Sequence, residues 1–388
     1  MSAKLEVRAH AITELYYGDF YRSFNGWTFR DFQNDPKACH EWIAFTTVMY
    51  CPADGLVHCG LTRFNNDILY VFDPESKKFR SLGYSGKAEK FEVKIHRSLV
   101  LADDGYIYGA TALLHDINDV SRAPGGKIFR YRPGCKEGEI ETLCIPVPHA
   151  YIQSLALDRQ REILYGFTFM PEHMLRYDIR SAKAQDLGLI GSCLFIAQAH
   201  RPVVDDEGWV WGCWGSYYSE NCLPTEGRRI CLMRYHPEKS GRIEYLQYGL
   251  DGEGVSSTEM IDEGLNGGDG YLYFGTRSGT LYRLEAKTGA CECLGKPSYY
   301  LKRISGMALS ADGLLYLAEG DRDGARIFTF DLGSGKFSDL GAVFDPRRGT
   351  GAEKIHCLSL DEQRGVLYGG EIDNVRRSSY LWELQVNK

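Results

Sequence analysis

Histidines and arginines recur at matching places along this chain of 388 residues. His96 is followed by Arg97, His200 by Arg201, His149 stands just ahead of Tyr151, and His356 just after Lys354. Each opens an alternating apolar segment, as do Glu41, Glu259 and Arg303. A second set lies near the ends of the segments that follow: Arg63, His115, His173, Trp214, Tyr217, Arg277, Glu319 and Glu371. Imidazole titrates near neutral pH and can give or take a proton. Guanidinium neutralises carboxylates and stabilises negative charge that develops in a reaction. Together these groups suit acid–base chemistry on an anionic substrate. His96, His200 and His356 also suit a divalent ion, since imidazole binds Zn, Mn and Fe. The plainer alternative for each histidine is a hydrogen bond to a nearby backbone group, and for the aromatic residues packing.

What positions these residues is an internal repeat. A turn followed by a strand recurs seven times: Ala53-Asp-Gly-Leu-Val-His-Cys-Gly, Asp103-Asp-Gly-Tyr-Ile-Tyr-Gly, Arg159-Gln-Arg-Glu-Ile-Leu-Tyr-Gly, Asp206-Glu-Gly-Trp-Val-Trp-Gly, Gly268-Asp-Gly-Tyr-Leu-Tyr-Phe-Gly, Ala311-Asp-Gly-Leu-Leu-Tyr-Leu and Gln363-Arg-Gly-Val-Leu-Tyr-Gly. Asp-Gly between apolar strands is a strong hairpin signal. Third and fourth strands repeat as well, as in Ile327-Phe-Thr-Phe-Asp-Leu leading to Lys336-Phe-Ser-Asp-Leu-Gly. Four strands per unit of roughly 40–50 residues is the spacing of propeller blades. The sequence therefore predicts an all-β, seven-bladed β-propeller of four-stranded antiparallel blades in one domain. Blades are expected at about 42–88, 92–147, 149–190, 197–248, 257–295, 301–341 and 353–388. The last unit stops at its third strand, near Ser379–Gln385. Residues 5–12 are expected to supply its outer strand and close the ring, since an open edge is a liability.

In such a ring the short Asp-Gly turns mark one face. The long loops, residues 112–126 and 216–229, and the aromatic-rich link over 13–41 fall on the other face, where the inner strands begin. Functional loops cluster in this way, so the site is expected at that mouth of the central channel.

Composition narrows the classes. Formal net charge is -7 and 13% of residues are aromatic. No basic patch suggests nucleic acid as a partner, and no apolar run approaches the roughly 18 residues that cross a bilayer. The first residues show no apolar leader. The 12 cysteines are scattered without zinc-site spacing and read as reduced thiols. A cytoplasmic location is expected; the sequence indicates no oligomeric state.

Lys94-Ile-His-Arg-Ser-Leu, the Asp-Gly turn, Tyr106-Ile-Tyr-Gly-Ala-Thr and then His115 resemble the seven-bladed polysaccharide lyases of the ulvan lyase and L-rhamnose-α-1,4-D-glucuronate lyase type. The resemblance implies a lyase that cleaves uronic-acid-containing oligosaccharides by β-elimination. It implies His96 and His115 as an acid/base or carboxylate-contacting pair and Tyr151 as a second acid/base. The arginine those enzymes aim at the uronate carboxylate has no match here; Phe167 and His173 stand in that region instead. Arg201 or Arg303 is the substitute clamp, and His200, Trp214, Tyr217, Arg277 and His356 complete the expected substrate-binding set. Alternatives are a metal-dependent lyase or hydrolase built on the histidines, with a divalent metal as cofactor, and a propeller that binds a glycan or a protein without chemistry.

Overall fold

The computed structural model describes residues 5–16, 31, 34–36, 38–64, 66–89, 91–112, 120–169, 171–191, 201–217, 228–252, 259–300, 302–320, 324–374 and 376–386. Of these, 38, 120, 216, 217, 228 and 229 are described by their backbone alone. The chain forms seven four-stranded antiparallel sheets arranged as a ring. The inner strands are Ala44–Cys51, Val100–Leu101, Tyr151–Asp158, Val203–Val204, Ile261–Asn266, Ile304–Leu309 and Ile355–Asp361. Each pairs with the strand after it, so neighbours in sequence are neighbours in space.

The turn chemistry explains the hairpins. In blades 1, 2 and 5 the turn aspartate accepts a backbone N–H two residues on: Leu56 from Asp54 at 3.1 Å, Tyr106 from Asp104 at 3.0 Å, Tyr271 from Asp269 at 3.1 Å. The glycine between them takes positive φ, 72° at Gly55, 78° at Gly105 and 89° at Gly270, a conformation open to glycine at little cost.

The ring closes as expected. Glu6–His10 pairs antiparallel with Leu381–Gln385 and becomes the outer strand of blade 7. Two polar devices hold this seam. Glu383 accepts from His10 Nε2 at 2.7 Å and from Lys77 Nζ of blade 1 at 2.8 Å. Buried Glu371 takes Arg377 at 2.8 Å, the Tyr380 N–H at 2.9 Å and the Trp382 indole at 3.2 Å. Between blades, apolar side chains interlock; Trp211, Phe274 and Leu272 of blades 4 and 5 are fully buried in one such cluster.

Among the described residues every cysteine is a free thiol, and no helix is long and apolar enough to cross a membrane. Most of the expected long-loop residues, over 113–119, 218–227 and 17–30, lie outside the described residues.

Candidate functional site in the central channel

The inner strands carry a feature that repetition alone does not announce. Five of them slip register after their first paired residues, between Phe45 and Thr47, Ile152 and Ser154, Ile261 and Glu263, Ile304 and Gly306, and Ile355 and Cys357. The extra residues are Thr46, Gln153, Asp262, Ser305 and His356. A β-bulge re-aims side chains and frees ladder groups, and each of these residues makes a bond to another blade, Thr46 bonding its own sheet at Gly60 as well. His96 follows Ile95 in blade 2 as the bulged residues follow their isoleucines. There the regular inner strand is only Val100–Leu101, and residues 94–96 run as an irregular segment held by single bonds to blades 1 and 2.

These residues meet at the axis. His96 Nδ1 lies 2.8 Å from the Gln153 carbonyl oxygen and donates to it. Its Nε2 is then left as an acceptor, and His356 Nε2 lies 2.6 Å away. The Arg97 guanidinium lies against both ring nitrogens of His356, with Nη2 3.1 Å from Nδ1 and Nε 3.2 Å from Nε2. The His96 tautomer is assigned from the bonding network. Burial and the charge of Arg97 push His356 well below the usual histidine range, so it stays neutral.

Arg97 spans the axis. Its guanidinium donates to the carbonyls of Asp262, Ser305 and His356, from blades 5, 6 and 7, and has no solvent exposure. Asp262 and Glu263 carboxylates lie 3.7 and 3.5 Å from it. Arg97 and Arg303 both take positive φ, 42° and 75°, an uncommon backbone state that the surrounding bonds must hold.

Around this floor stand more cations. Lys94, Arg303 and Lys354 each precede the isoleucine of their inner strands, so they occupy matching ring positions. Arg303 is clamped on the Asp262 carboxylate, Arg201 donates to Glu263 at 3.2 Å, and Lys354 pairs with Asp373 at 3.1 Å. Lys94 differs: among the described residues its ammonium has no hydrogen-bond or ion-pair partner. Burial, with Lys354 and Arg97 nearby, lowers its pKa to about 8 against the pull of Asp373. Five named cations thus face three named carboxylates, a local excess of positive charge despite the acidic chain.

The structure therefore brings together His96, His356, Arg303 and Arg201 from the expected set. Arg303 directs two guanidinium nitrogens at Asp262, and Arg201 one at Glu263, so each of these expected clamps already faces a carboxylate of the chain. Tyr151 occupies the ring position of Lys94, but its ring is buried in an apolar cluster with Trp42, Phe64 and Phe91, and its hydroxyl has no hydrogen-bond partner. Burial raises its pKa far above the ordinary tyrosine value. Trp214 faces outward along blade 4, where its indole donates to Leu246 O at 3.2 Å. Arg277 is exposed at the rim beside Met260. His173 opens the third strand of blade 3 and pairs with Asp186 at 2.9 Å, away from the channel. His115, His200 and the Tyr217 side chain lie outside the described residues. Sequence reasoning passed over Lys94, Gln153, Asp262, Glu263 and, as a site member, Arg97. The signal for them was the recurring isoleucine followed by a residue out of register.

No protein-family model matches the chain, and no curated protein matches it. Solved structures do. One is the extracellular domain of a putative hybrid two component system from B. thetaiotaomicron, with TM-score 0.54 and 14% identity over 89% of this chain; the chain spans only 38% of that one. Another is U3-55K, with TM-score 0.53 and 13% identity over 88% of this chain and 95% of that one. At such identities the likeness is one of fold: the chain is a seven-bladed β-propeller.

Proposed function

We propose that the channel mouth binds the carboxylate of a uronic-acid-containing oligosaccharide and that the chain cleaves it by β-elimination. The observation that carries this reading is the Lys94 ammonium, which among the described residues has no hydrogen-bond or ion-pair partner and stands two positions ahead of the His96 that meets His356. Elimination across C4–C5 removes a weakly acidic C5 proton, and a cation on the carboxylate lowers that barrier by stabilising the enolate that forms. In this reading Lys94 is the carboxylate contact, in place of Arg201 and Arg303, which already face Glu263 and Asp262. His96, whose bare Nε2 faces His356, is the group through which a proton moves. Tyr151 would need to leave its apolar cluster to take part, so no role is given to it.

The burial of His96 and His356, only 3% and 1% exposed, favours a second reading, a propeller that binds an acidic glycan without chemistry. A divalent ion on the histidines is a third. His96 and His356 supply two nitrogens, but at 2.6 Å they already satisfy one another.

One assay separates these readings. The protein is incubated with a panel of uronate-containing oligosaccharides, with and without chelator, and ultraviolet absorbance is followed. Elimination leaves a C4–C5 double bond conjugated to the carboxylate, which absorbs there. A signal lost in His96→Ala, with the fold intact by circular dichroism, supports the lyase. Cleavage to saturated products alone, or tight binding without cleavage, overturns it.

A further inference from the structure

The opposite face of the ring holds a second cluster, at the hairpin that joins the first two strands of blade 1. Cys51 Sγ, an Asp54 carboxylate oxygen and a His58 ring nitrogen all lie within 4.8 Å of one another. Cys51 and His58 are buried. His58 Nδ1 is 3.0 Å from the Tyr131 hydroxyl of blade 2, and its Nε2 is 3.2 Å from Asp54 Oδ2. The Gly134 N–H of blade 2 also donates to Asp54, at 2.8 Å.

The ring contains its own controls. Blades 3 and 7 build the same hairpin: Cys51 opposes Leu56 as Asp158 opposes Ile163 and Asp361 opposes Val366. Counting from those pairs, Cys51, Asp54 and His58 match Asp158, Arg161 and Tyr165, and Asp361, Arg364 and Tyr368. In blade 3 the Arg161 guanidinium closes the turn on Asp158 at 3.1 Å, and in blade 7 Arg364 lies 3.8 Å from Asp361. Blade 1 exchanges all three residues at once, aspartate for cysteine, arginine for aspartate, tyrosine for histidine. Blades 2 and 5 close with an aspartate–tyrosine contact of 2.8 Å, so an Asp54–His58 contact alone has a purely structural explanation. The thiol, which also fills an apolar cluster between blades 1 and 2, adds a third ligand type to that contact.

We propose that Cys51, Asp54 and His58 form a zinc-binding site at the junction of blades 1 and 2. Thiolate, imidazole and carboxylate are the ligands that zinc prefers. Ligand atoms around zinc sit roughly 3.5 Å apart, so small side-chain rotations suffice. His58 Nε2 donates to the Asp54 carboxylate and Nδ1 accepts from the Tyr131 hydroxyl; on zinc binding the metal takes the place of the Nε2 proton, and Nδ1–H donates to the Tyr131 oxygen, the outer-shell arrangement that orients a ligating histidine. On binding, the thiol releases its proton to solvent as the Zn–S bond forms. Because zinc displaces that proton, uptake is weaker at acid pH. The sequence hid this site because its spacing, two residues and then three across a hairpin, follows no familiar zinc pattern.

The test uses the full chain, stripped with chelator, loaded with Zn2+ alone and desalted before metal analysis. Retention of one zinc per chain is expected, with affinity falling about 100-fold or more in Cys51→Ser and in His58→Tyr. His58→Tyr restores the residue that blades 3 and 7 use, so it is expected to fold. Loading the unmodified protein with Co2+ should give a thiolate-to-metal charge-transfer band. No retained zinc, a cobalt spectrum without that band, or undiminished retention in both variants would each overturn the proposal.

Discussion

Arg97 of blade 2 donates from Nη2 to the main-chain oxygen of His356 in blade 7 at 2.9 Å, across the axis of the ring. The same guanidinium satisfies carbonyls of blades 5 and 6 and lies close to two carboxylates. Truncating it leaves three buried carbonyl oxygens without this donor and removes one of the two cations at each of Asp262 and Glu263. Breaking a buried charge network in this way costs about 3–5 kcal/mol. Arg97→Ala is therefore expected to lower the midpoint of chemical denaturation sharply, and Arg97→Lys, which cannot fork, to restore only part of it. A denaturation series would show this, and an Arg97→Ala protein as stable as the parent would refute it.

Glu319 makes the opposite case. It ends the second strand of blade 6, is fully buried, and neither carboxylate oxygen has a hydrogen-bond partner among the described residues. Burial raises its pKa to about 8, only partly countered by Lys296. A carboxyl raised in the folded state is stabilising below its unfolded pKa, near 4.5, and that contribution is lost as pH climbs towards 8. Glu319→Gln keeps the shape and removes the ionisation. Its melting temperature should exceed the parent's at pH 8 and converge with it near pH 4. A gain that does not depend on pH would point to packing instead.

The seam responds to acid. Burial works to raise Glu383, but the hydrogen bonds from His10 and Lys77 win and hold it at about 2. A depressed carboxylate contributes stability above its unfolded pKa and loses it as pH falls from about 4.5 towards 2. Glu383→Gln is expected to melt lower at pH 7 and to show a flatter Tm profile through that acid window. Differential scanning calorimetry across pH 2–7 tests it, and parallel profiles for the two proteins would rule it out.

If Lys94 holds the substrate carboxylate, affinity should track its charge. Binding of a uronate oligosaccharide, followed by calorimetry, should weaken as pH rises through about 8. Lys94→Met should bind more weakly and lose that dependence, with little change in melting temperature. An unchanged pH profile in the variant would assign the recognition to another group.

The architecture was legible because its signals are local. An Asp-Gly step fixes a hairpin within about four residues, and seven copies fix a ring; even the closing strand at Glu6–His10 followed from the edge left by Leu381–Gln385. The site was only half legible. His96 and His356 were visible as residue types at strand starts, yet their mutual contact depends on a bulge at His356 and an irregular segment at His96, and neither leaves a mark in hydrophobic alternation. Arg201 and Arg303 read as free cations because their partners, Glu263 and Asp262, lie some 60 and 40 residues away in sequence. Tyr151 shows the converse failure: its strand position was right, but the apolar neighbours that claim its ring come from blades 1 and 2.

The pairing of Glu6–His10 with Leu381–Gln385 also has a kinetic meaning. The other strand pairs of the blades join segments close together in sequence, so those hairpins can form locally. This one contact joins strands that flank all the other blades, and until it forms the pairing edge of Glu6–His10 stays open. Long-range pairing of this kind slows folding and leaves partly folded chains prone to aggregate. Closure of blade 7 is thus the step at which the ring is most exposed to a wrong partner.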